Sequence, residues 1–155
     1  MIEFFLKDEA ATFALGERLA GVIDHIGVLY LSGDLGAGKT TFARGLILGM
    51  GHQGFVKSPT FTIVEPYLDT KKPVYHFDLY RLNDPEALEY LGFRDYLDKK
   101  HLCVFEWPDL GGSYVPAPDL SIHFAFQAQG RVAQCVAGSE QGLRACEYLQ
   151  KQESK

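Results

Sequence analysis

The sequence predicts an α/β fold in which a mostly parallel central sheet with antiparallel additions forms the middle of a three-layer sandwich. Apolar runs of strand length alternate along the 155 residues with segments of helical periodicity, as is typical of parallel sheets covered by helices. A glycine-rich stretch at 33–40 lies between one such strand and one such helix. No repeat, low-complexity tract or linker divides the chain. We therefore expect one domain over 1–155 with a frayed tail at 151–155.

The predicted elements can be justified in chain order. Asp8 is a predicted N-cap for a first helix that ends near residue 23, and Gly49 and Gly51 are the stop signals of a second helix. Asp84 followed by Pro85 opens a short helical region that runs to about residue 98. Strands are predicted at 26–32, 61–67, 74–80, 101–105, 120–126 and 132–136. The strands at 61–67 and 74–80 are expected to form a hairpin. A loop is predicted at 107–119 and a last helix at 140–150.

Residues 33–40 fit the pattern G-x-x-x-x-G-K-[ST] of a phosphate-binding loop, or P-loop, in the strand–loop–helix context that the pattern requires. Glycines let the chain curl and point successive N–H groups at an anion, and the N-terminus of the following helix adds positive charge. We expect the Lys39 ammonium to reach the β- and γ-phosphates and the Thr40 hydroxyl to ligate Mg²⁺. The predicted nucleotide contacts from this stretch are Gly33, Asp34, Leu35, Gly36, Ala37, Gly38, Lys39, Thr40 and Thr41. The sequence thus predicts a P-loop nucleotide hydrolase type of fold.

Glu106 is the predicted second anchor for the metal, because it follows the apolar run 102–105 in the manner of a Walker B strand. A P-loop alone does not hydrolyse ATP, since the metal needs an acidic anchor and the attacking water needs positioning. Asp78 points to the face of its strand opposite Tyr75 and Phe77. From the residues alone, Asp78 either orients water or the ligands of the metal, or is a solvated strand position.

Ser58, Thr60 and Trp107 each admit two interpretations. Ser58 and Thr60 lie in a segment that Pro59 makes rigid. In one interpretation this segment is the loop that senses the γ-phosphate in many nucleotide hydrolases, and in the other it is a turn that leads into a strand. Trp107, the only tryptophan, is either a half-buried packing residue or part of a surface that senses a partner or the nucleotide. The guanine-recognition pattern N-K-x-D is absent, since Asp84 follows Asn83, the only asparagine. This absence favours ATP over strict use of GTP.

Charge and composition limit the classes of partner. The formal charge of −5 argues against tight, direct binding of nucleic acid by this chain alone. The three cysteines are far apart in sequence and fit a reducing cytosol. No apolar run approaches the roughly 20 residues that span a bilayer, and the N-terminus lacks the features of a signal peptide. We therefore expect a cytoplasmic protein without a membrane partner.

Four blocks, taken together, resemble the TsaE (YjeE) family. In order they are GDLGAGKTT at 33–41, SPTFT at 58–62, YHFDLYR at 75–81 and FEW at 105–107, and the similarity is looser from residue 110 onward. The resemblance implies a small bacterial ATPase needed to make threonylcarbamoyladenosine next to the anticodon of tRNAs that read codons beginning with A. It also implies ATP and Mg²⁺ as cofactors and the TsaD–TsaB heterodimer as partner, with tRNA reached indirectly through that complex.

The same resemblance implies roles for individual residues. Thr40 and Glu106 would hold Mg²⁺, and the catalytic group would comprise Lys39, Asp78, Glu106 and Thr60, the last of these in a first switch segment. Ser58 and Trp107 would belong to a switch or partner surface. Glu9 and Arg131 match positions that approach the nucleotide.

Two other functions remain open from the sequence. A small-molecule kinase would use the same loop but needs an arginine-bearing lid, and Arg81, Arg94, Arg131 and Arg144 are isolated. A nucleotide-dependent binding switch would bind ATP with negligible hydrolysis. The expected ATPase would hydrolyse ATP slowly alone, and its hydrolysis would sustain turnover of the modifying complex.

Overall fold

The structure is a computed structural model that describes residues 1–98 and 100–153. Within these residues, seven strands form one sheet and three α-helices accompany it. The strands are β1 (Ile2–Leu6), β2 (Val28–Gly33), β3 (Val64–Tyr67), β4 (Val74–Asp78), β5 (Leu102–Glu106), β6 (Leu120–Gln127) and β7 (Gly130–Ala137). The helices are α1 (Glu9–Ala20), α2 (Lys39–Gly49) and α3 (Glu140–Glu153), and short 3-10 segments lie at Ile23–His25, Pro85–Leu91, Phe93–Tyr96 and Pro108–Tyr114.

The strand order is β1-β7-β6-β2-β5-β4-β3. The four central strands β6, β2, β5 and β4 are parallel, whereas β1, β7 and β3 are attached through antiparallel pairs. This arrangement confirms the predicted fold class and the hairpin between the second and third predicted strands. Because parallel strands end at the same edge, β2, β4 and β5 bring Gly33, Asp78 and Glu106 to one side of the molecule.

The sheet separates two apolar cores. Along β5, Leu102 and Val104 face a large core that includes residues of all three α-helices, while Cys103 and Phe105 face a smaller core on the other side. The smaller core is closed by side chains from the 3-10 segments, including Leu88 and Tyr114. The layers are therefore α-helices, sheet and 3-10 segments, and β5 is buried on both faces.

Helices α1 and α2 approach closely because glycines lie at their contact. A Cβ at Gly16 would lie 2.3 Å from the carbonyl oxygen of Phe42, and a Cβ at Gly45 would lie 2.2 Å from that of Phe13. Any larger residue at either position would push the backbones apart. This contact fixes the start of α1 beside the loop that precedes α2.

Several element boundaries differ from the prediction. β1 was not expected, and α1 ends at Ala20 rather than near residue 23, although Asp8 caps it as predicted by accepting a 2.8 Å hydrogen bond from Ala11 N. The strand expected at 61–67 begins only at Val64, because residues 59–62 form turns. These differences lie where turn geometry, not hydrophobic pattern, decides the conformation.

The short helical region predicted from Asp84 to about residue 98 is present, and the loop predicted at 107–119 is partly helical. The first consists of two 3-10 segments, because Gly92 takes a left-handed φ of 69° between them. The second contains the 3-10 segment Pro108–Tyr114. Helix α3 extends to Glu153, beyond the predicted end at residue 150, while 154 and 155 lie outside the described residues. In the described part of the chain, no helix is long and apolar enough to cross a membrane.

Candidate nucleotide-binding site

The glycine-rich loop joins the end of β2 to the start of α2. Gly33, Gly36 and Gly38 have φ angles of 130°, 80° and 119°, which disfavour residues with a Cβ. At Gly33 a Cβ would also lie 2.3 Å from the carbonyl oxygen of Phe124 on β6. The loop therefore needs glycine for its conformation, and at Gly33 for its fit against the sheet.

Most of the predicted site residues line one cavity of about 310 Å³ at the carboxyl edge of the sheet. They come from the loop, from the start of α2 and from the ends of β4 and β5. The lining residues are Glu9, Leu35, Gly36, Gly38, Lys39, Thr40, Thr41, Thr60, Asp78, Glu106 and Trp107. Of the remaining predicted residues, Ser58 contacts this set through Thr60, with 2.7 Å between their hydroxyl oxygens, whereas Arg131 does not line this cavity.

Lys39 is buried at the mouth of the loop. Its ammonium donates to the carbonyl oxygens of Gly33 at 2.5 Å and Asp34 at 3.0 Å, and it lies 4.5 Å from the centre of the Trp107 ring. Burial lowers the pKa of Lys39, and the negative charges of Glu106, Asp78 and Asp34 oppose that shift. The ammonium is thus partly desolvated, and backbone carbonyl oxygens of the loop hold it beside the cavity.

Asp78 and Glu106 are both buried and are register partners on β4 and β5. The Asp78 carboxylate accepts from the backbone N of Tyr80 at 3.0 Å and from the Thr60 hydroxyl at 3.4 Å. Burial raises the pKa of Asp78, and the nearby charge of Glu106 raises it further. A carboxyl group with a raised pKa beside a cavity is a candidate for accepting a proton.

His76 also belongs to the site and was not predicted from the sequence. Its Nε2 lies 2.6 Å from Oε2 of Glu106, and both side chains are almost fully buried. His76 precedes Asp78 by two residues on β4, so it shares the face of the strand that Asp78 occupies. That alternation was the available signal, but its meaning depends on the pairing of β4 with β5.

Two residues other than glycine adopt positive φ angles beside the cavity. Trp107 has a φ of 58°, lies immediately after Glu106 and packs its ring 5.1 Å from that of Tyr80. Ile63 has a φ of 70°, and its carbonyl oxygen accepts from Asp78 N at 2.8 Å. Such conformations cost about 1–3 kcal/mol each and concentrate at functional sites. The strain here lies at the two segments that border the carboxylates.

Glu9 and Arg131 face each other across a second cavity of about 470 Å³, which shares Glu9, Gly36, Gly38 and Thr41 with the first. Glu9 accepts a 3.1 Å hydrogen bond from the Thr41 hydroxyl. The guanidinium of Arg131 donates to the carbonyl oxygen of Gly36 at 3.3 Å and lies 4.2 Å from the centre of the Phe126 ring. Arg131 therefore borders only the second cavity, whereas Glu9 lines both cavities.

The donor set at the first cavity fits Mg²⁺. Thr40 offers an exposed hydroxyl, and Glu106 and Asp78 offer carboxylates. Among residues 1–98 and 100–153, no group of three or more His, Cys, Asp or Glu side chains is arranged to hold a metal. Mg²⁺ does not need such a cage, since it binds through one or two carboxylates while water and phosphate oxygens complete its shell.

Comparisons with known proteins identify the family of this chain. The family model described as "Threonylcarbamoyl adenosine biosynthesis protein TsaE" matches residues 6–133. The protein named tRNA threonylcarbamoyladenosine biosynthesis protein TsaE from Haemophilus influenzae is 41% identical over 143 residues, which cover 89% of this chain and 90% of that protein. The protein of the same name from Synechocystis is 45% identical over 112 residues, covering 70% of this chain and 71% of its own.

A solved structure supports the same relationship. The crystal structure of Bacillus subtilis YdiB superposes with a TM-score of 0.81 at 30% sequence identity, covering 98% of this chain and 95% of that one. On the matches of family model, sequence and structure together, the chain belongs to the TsaE family.

Proposed function

We propose that this chain is an ATPase that acts in the threonylcarbamoyladenosine modification of tRNA. Family membership supports the pathway, since the relatives carry that process in their names. The observation that carries the proposed activity is the convergence of Lys39, Thr40, Asp78 and Glu106 on one cavity beside a P-loop. This set offers a cation for phosphates, oxygen ligands for a divalent metal and a carboxyl group for the attacking water.

In this proposal the loop and Lys39 hold the phosphates of ATP. Lys39 would exchange the carbonyl oxygens of Gly33 and Asp34 for the β- and γ-phosphates. Thr40 and Glu106 would hold Mg²⁺, which neutralises charge that develops on the phosphates. Glu9 and Arg131 would border the remainder of the nucleotide, because they line the cavity that continues from the first one across Gly36 and Gly38.

Asp78 and Thr60 would position the attacking water. The Thr60 hydroxyl already donates to Asp78, and Ser58 lies within hydrogen-bond distance of Thr60, so the segment that carries both is linked to the carboxylate. The raised pKa of Asp78 suits a group that takes a proton from water during attack on the γ-phosphate. Movement of this segment would then couple the nucleotide state to the protein surface.

We further propose that the partner is the TsaD–TsaB heterodimer and that hydrolysis sustains its turnover, with tRNA bound through that complex. The formal charge of −5 supports this division, because a protein that bound tRNA directly would need a basic surface. Ser58 and Trp107 would contribute to the surface that reports the nucleotide state to the partner.

ATP hydrolysis by the purified protein, with Mg²⁺ and with EDTA, tests the proposed activity. We expect slow release of phosphate that requires Mg²⁺, that increases when TsaD and TsaB are added, and that Lys39→Ala abolishes. Lys151→Ala, which removes an exposed lysine on α3 far from the loop in sequence, is the control and should behave as the wild type. Phosphate release that is insensitive to Lys39→Ala would contradict the proposal.

The same assay separates the alternative functions. A kinase would transfer the γ-phosphate of ATP to a metabolite, so radiolabel would appear in an organic phosphate and not as inorganic phosphate. A binding switch would bind ATP–Mg²⁺ without releasing phosphate, even with both partners present.

A further inference from the structure

His76 and Glu106 form a deeply buried hydrogen bond beside the candidate metal site. Their side chains are 1% and 3% exposed, and His76 Nε2 lies 2.6 Å from Glu106 Oε2. The residue directly opposite His76 on β5 is Val104, so His76 reaches diagonally along the ladder to Glu106. The contact links the interior of the sheet to a predicted metal ligand.

The other ring nitrogen of His76 has no hydrogen-bond partner among residues 1–98 and 100–153. This nitrogen, Nδ1, is buried. A ring that donates from Nε2 and leaves Nδ1 unprotonated loses only an acceptor there, whereas an unpaired buried N–H on a cationic ring would cost more. We therefore assign the Nε2–H tautomer from the hydrogen-bond network. In this tautomer the single N–H of the ring donates its hydrogen bond to Glu106.

We infer that His76 is a positioning residue for the divalent cation, since it holds Oε2 of Glu106 and leaves the other carboxylate oxygen available to the metal. This inference rests on the proposed function, in which Glu106 is a metal ligand. Hydrogen bonds to metal-ligating carboxylates fix their orientation, and the loss of such a partner costs about 10–100-fold in metal affinity.

Lys39 explains why Glu106 needs a fixed orientation. Its ammonium lines the same cavity and interacts electrostatically with Glu106. Across 1–98 and 100–153, however, no ion pair joins the two side chains, and Glu106 pairs with His76 instead. Without His76, Glu106 would be free to turn toward Lys39, which would remove one ligand from the metal and one cation from the phosphates.

The test compares His76→Gln with His76→Asn. The amide nitrogen of glutamine extends about as far as Nε2 and can donate to Glu106, whereas that of asparagine extends only about as far as Nδ1. Both variants bury one amide group, so the free-energy cost of placing a polar side chain in the core is similar in the two. Electron paramagnetic resonance of free Mn²⁺ measures metal affinity in the presence of a non-hydrolysable ATP analogue. Binding of the same analogue in EDTA measures nucleotide affinity without metal.

We expect His76→Asn to weaken Mn²⁺ binding by about 10–100-fold, and His76→Gln to retain most of it. Analogue binding in EDTA should be unchanged in His76→Gln and weaker in His76→Asn, because the released Glu106 would compete with the phosphates for Lys39. Equal Mn²⁺ affinities in the two variants would overturn the inference. Glu106→Gln separates this failure from that of the proposed function: if Glu106→Gln also leaves Mn²⁺ affinity intact, the proposed metal site itself is wrong.

A measurement on the wild-type protein keeps the inference testable if the variants do not fold. Nitrogen NMR of the imidazoles should show that Nε2 of His76 stays protonated and hydrogen-bonded when Mg²⁺ and the ATP analogue are bound. Loss of that hydrogen bond on metal binding would overturn the positioning role.

Discussion

Asp78 and Glu106 end neighbouring parallel strands as direct register partners, so two buried carboxyl groups lie side by side at the carboxyl edge of the sheet. The two carboxylates accept hydrogen bonds from different donors. Asp78 accepts from Tyr80 N and from the Thr60 hydroxyl, whereas Glu106 accepts from His76. Adjacent carboxylates repel, and burial penalises both charges. The arrangement therefore lowers the stability of the folded state and at the same time provides a site that can attract a divalent cation.

We predict that Asp78→Asn stabilises the fold at neutral pH while it removes activity. The folded-state pKa of Asp78 is raised by burial. The folded state therefore binds more protons than the unfolded state between the ordinary pKa of 3.8 and the raised pKa of the folded state. The free energy of unfolding therefore falls as pH rises through the interval between the two pKa values, and the penalty stays constant above it. Asparagine has no charge. Its Oδ1 can accept from Tyr80 N, and its Nδ2 can donate to the Thr60 hydroxyl, which reverses the direction of that bond.

Thermal unfolding and phosphate release measure both effects. Relative to the wild type, Asp78→Asn should raise Tm at pH 7 by about 2–4 °C for each kcal/mol relieved, and the difference should shrink as pH falls toward the unfolded pKa. Hydrolysis should fall by about 10²-fold or more. A variant with a lower Tm at pH 7, or with normal hydrolysis, would contradict the assignment of Asp78 as a strained catalytic carboxylate.

We predict that Trp107 fluorescence reports nucleotide binding. The Lys39 ammonium lies 4.5 Å from the ring centre, and it must leave the carbonyl oxygens of Gly33 and Asp34 to reach phosphates. Since Trp107 is the only tryptophan, the tryptophan fluorescence of the protein reports the surroundings of this one side chain. Titration with ATP–Mg²⁺ should give a saturable change in emission that Lys39→Ala lacks. If the emission of Lys39→Ala responds like that of the wild type, the ammonium is not the reporter.

We predict that the Thr60 hydroxyl acts on the chemical step and not on nucleotide affinity. It donates to Asp78 at 3.4 Å, a long hydrogen bond that closure of the segment would shorten. Thr60→Val should lower kcat by about tenfold or more with little change in KM, because it removes an interaction made mainly in the transition state. Thr60→Ser keeps the hydroxyl and is the matched control. Equal kcat values for the serine and valine variants would contradict a role of the Thr60 hydroxyl in the chemical step.

We predict that Gly45→Ala destabilises the protein although alanine favours helices. Alanine in a helix usually gains about 1 kcal/mol over glycine, but here the Cβ would lie 2.2 Å from the Phe13 carbonyl oxygen on α1. Separation of the helices should cost about 1–3 kcal/mol in chemical denaturation. Glu17→Ala, at an exposed position of α1, is the control and should change stability by less than about 0.5 kcal/mol. An unchanged midpoint for Gly45→Ala would mean that the contact is not tight.

The sequence predicted the parts of the site that are local in the chain. The loop at 33–40 and Glu106 at the end of an apolar run were recognisable because strand, turn and carboxylate follow one another directly. The role of His76 was not recognisable, since it depends on β4 lying beside β5 in a register that only the folded sheet defines. For Asp78, the alternation of its strand gave the correct face but not its neighbour.

Fold boundaries were missed where backbone geometry overrides the hydrophobic pattern. Gly92 in a left-handed conformation divides a segment that reads as one helix, and Trp107 adopts a positive φ that no propensity for tryptophan predicts. β1 pairs as an edge strand with the distant β7, so its existence depends on a partner about 130 residues away in the chain.

The most direct test of the proposed ATPase function is a reconstituted reaction with TsaD, TsaB, substrate tRNA, a chemical donor of the threonylcarbamoyl group and excess ATP. Modified tRNA and released phosphate are both measured in the same reaction. With the wild-type chain, we expect several modified tRNAs per complex and phosphate release that depends on the partners. With Glu106→Gln, both should cease after at most one turnover. Continued multiple turnover by Glu106→Gln, or by a reaction that lacks this chain, would contradict the account.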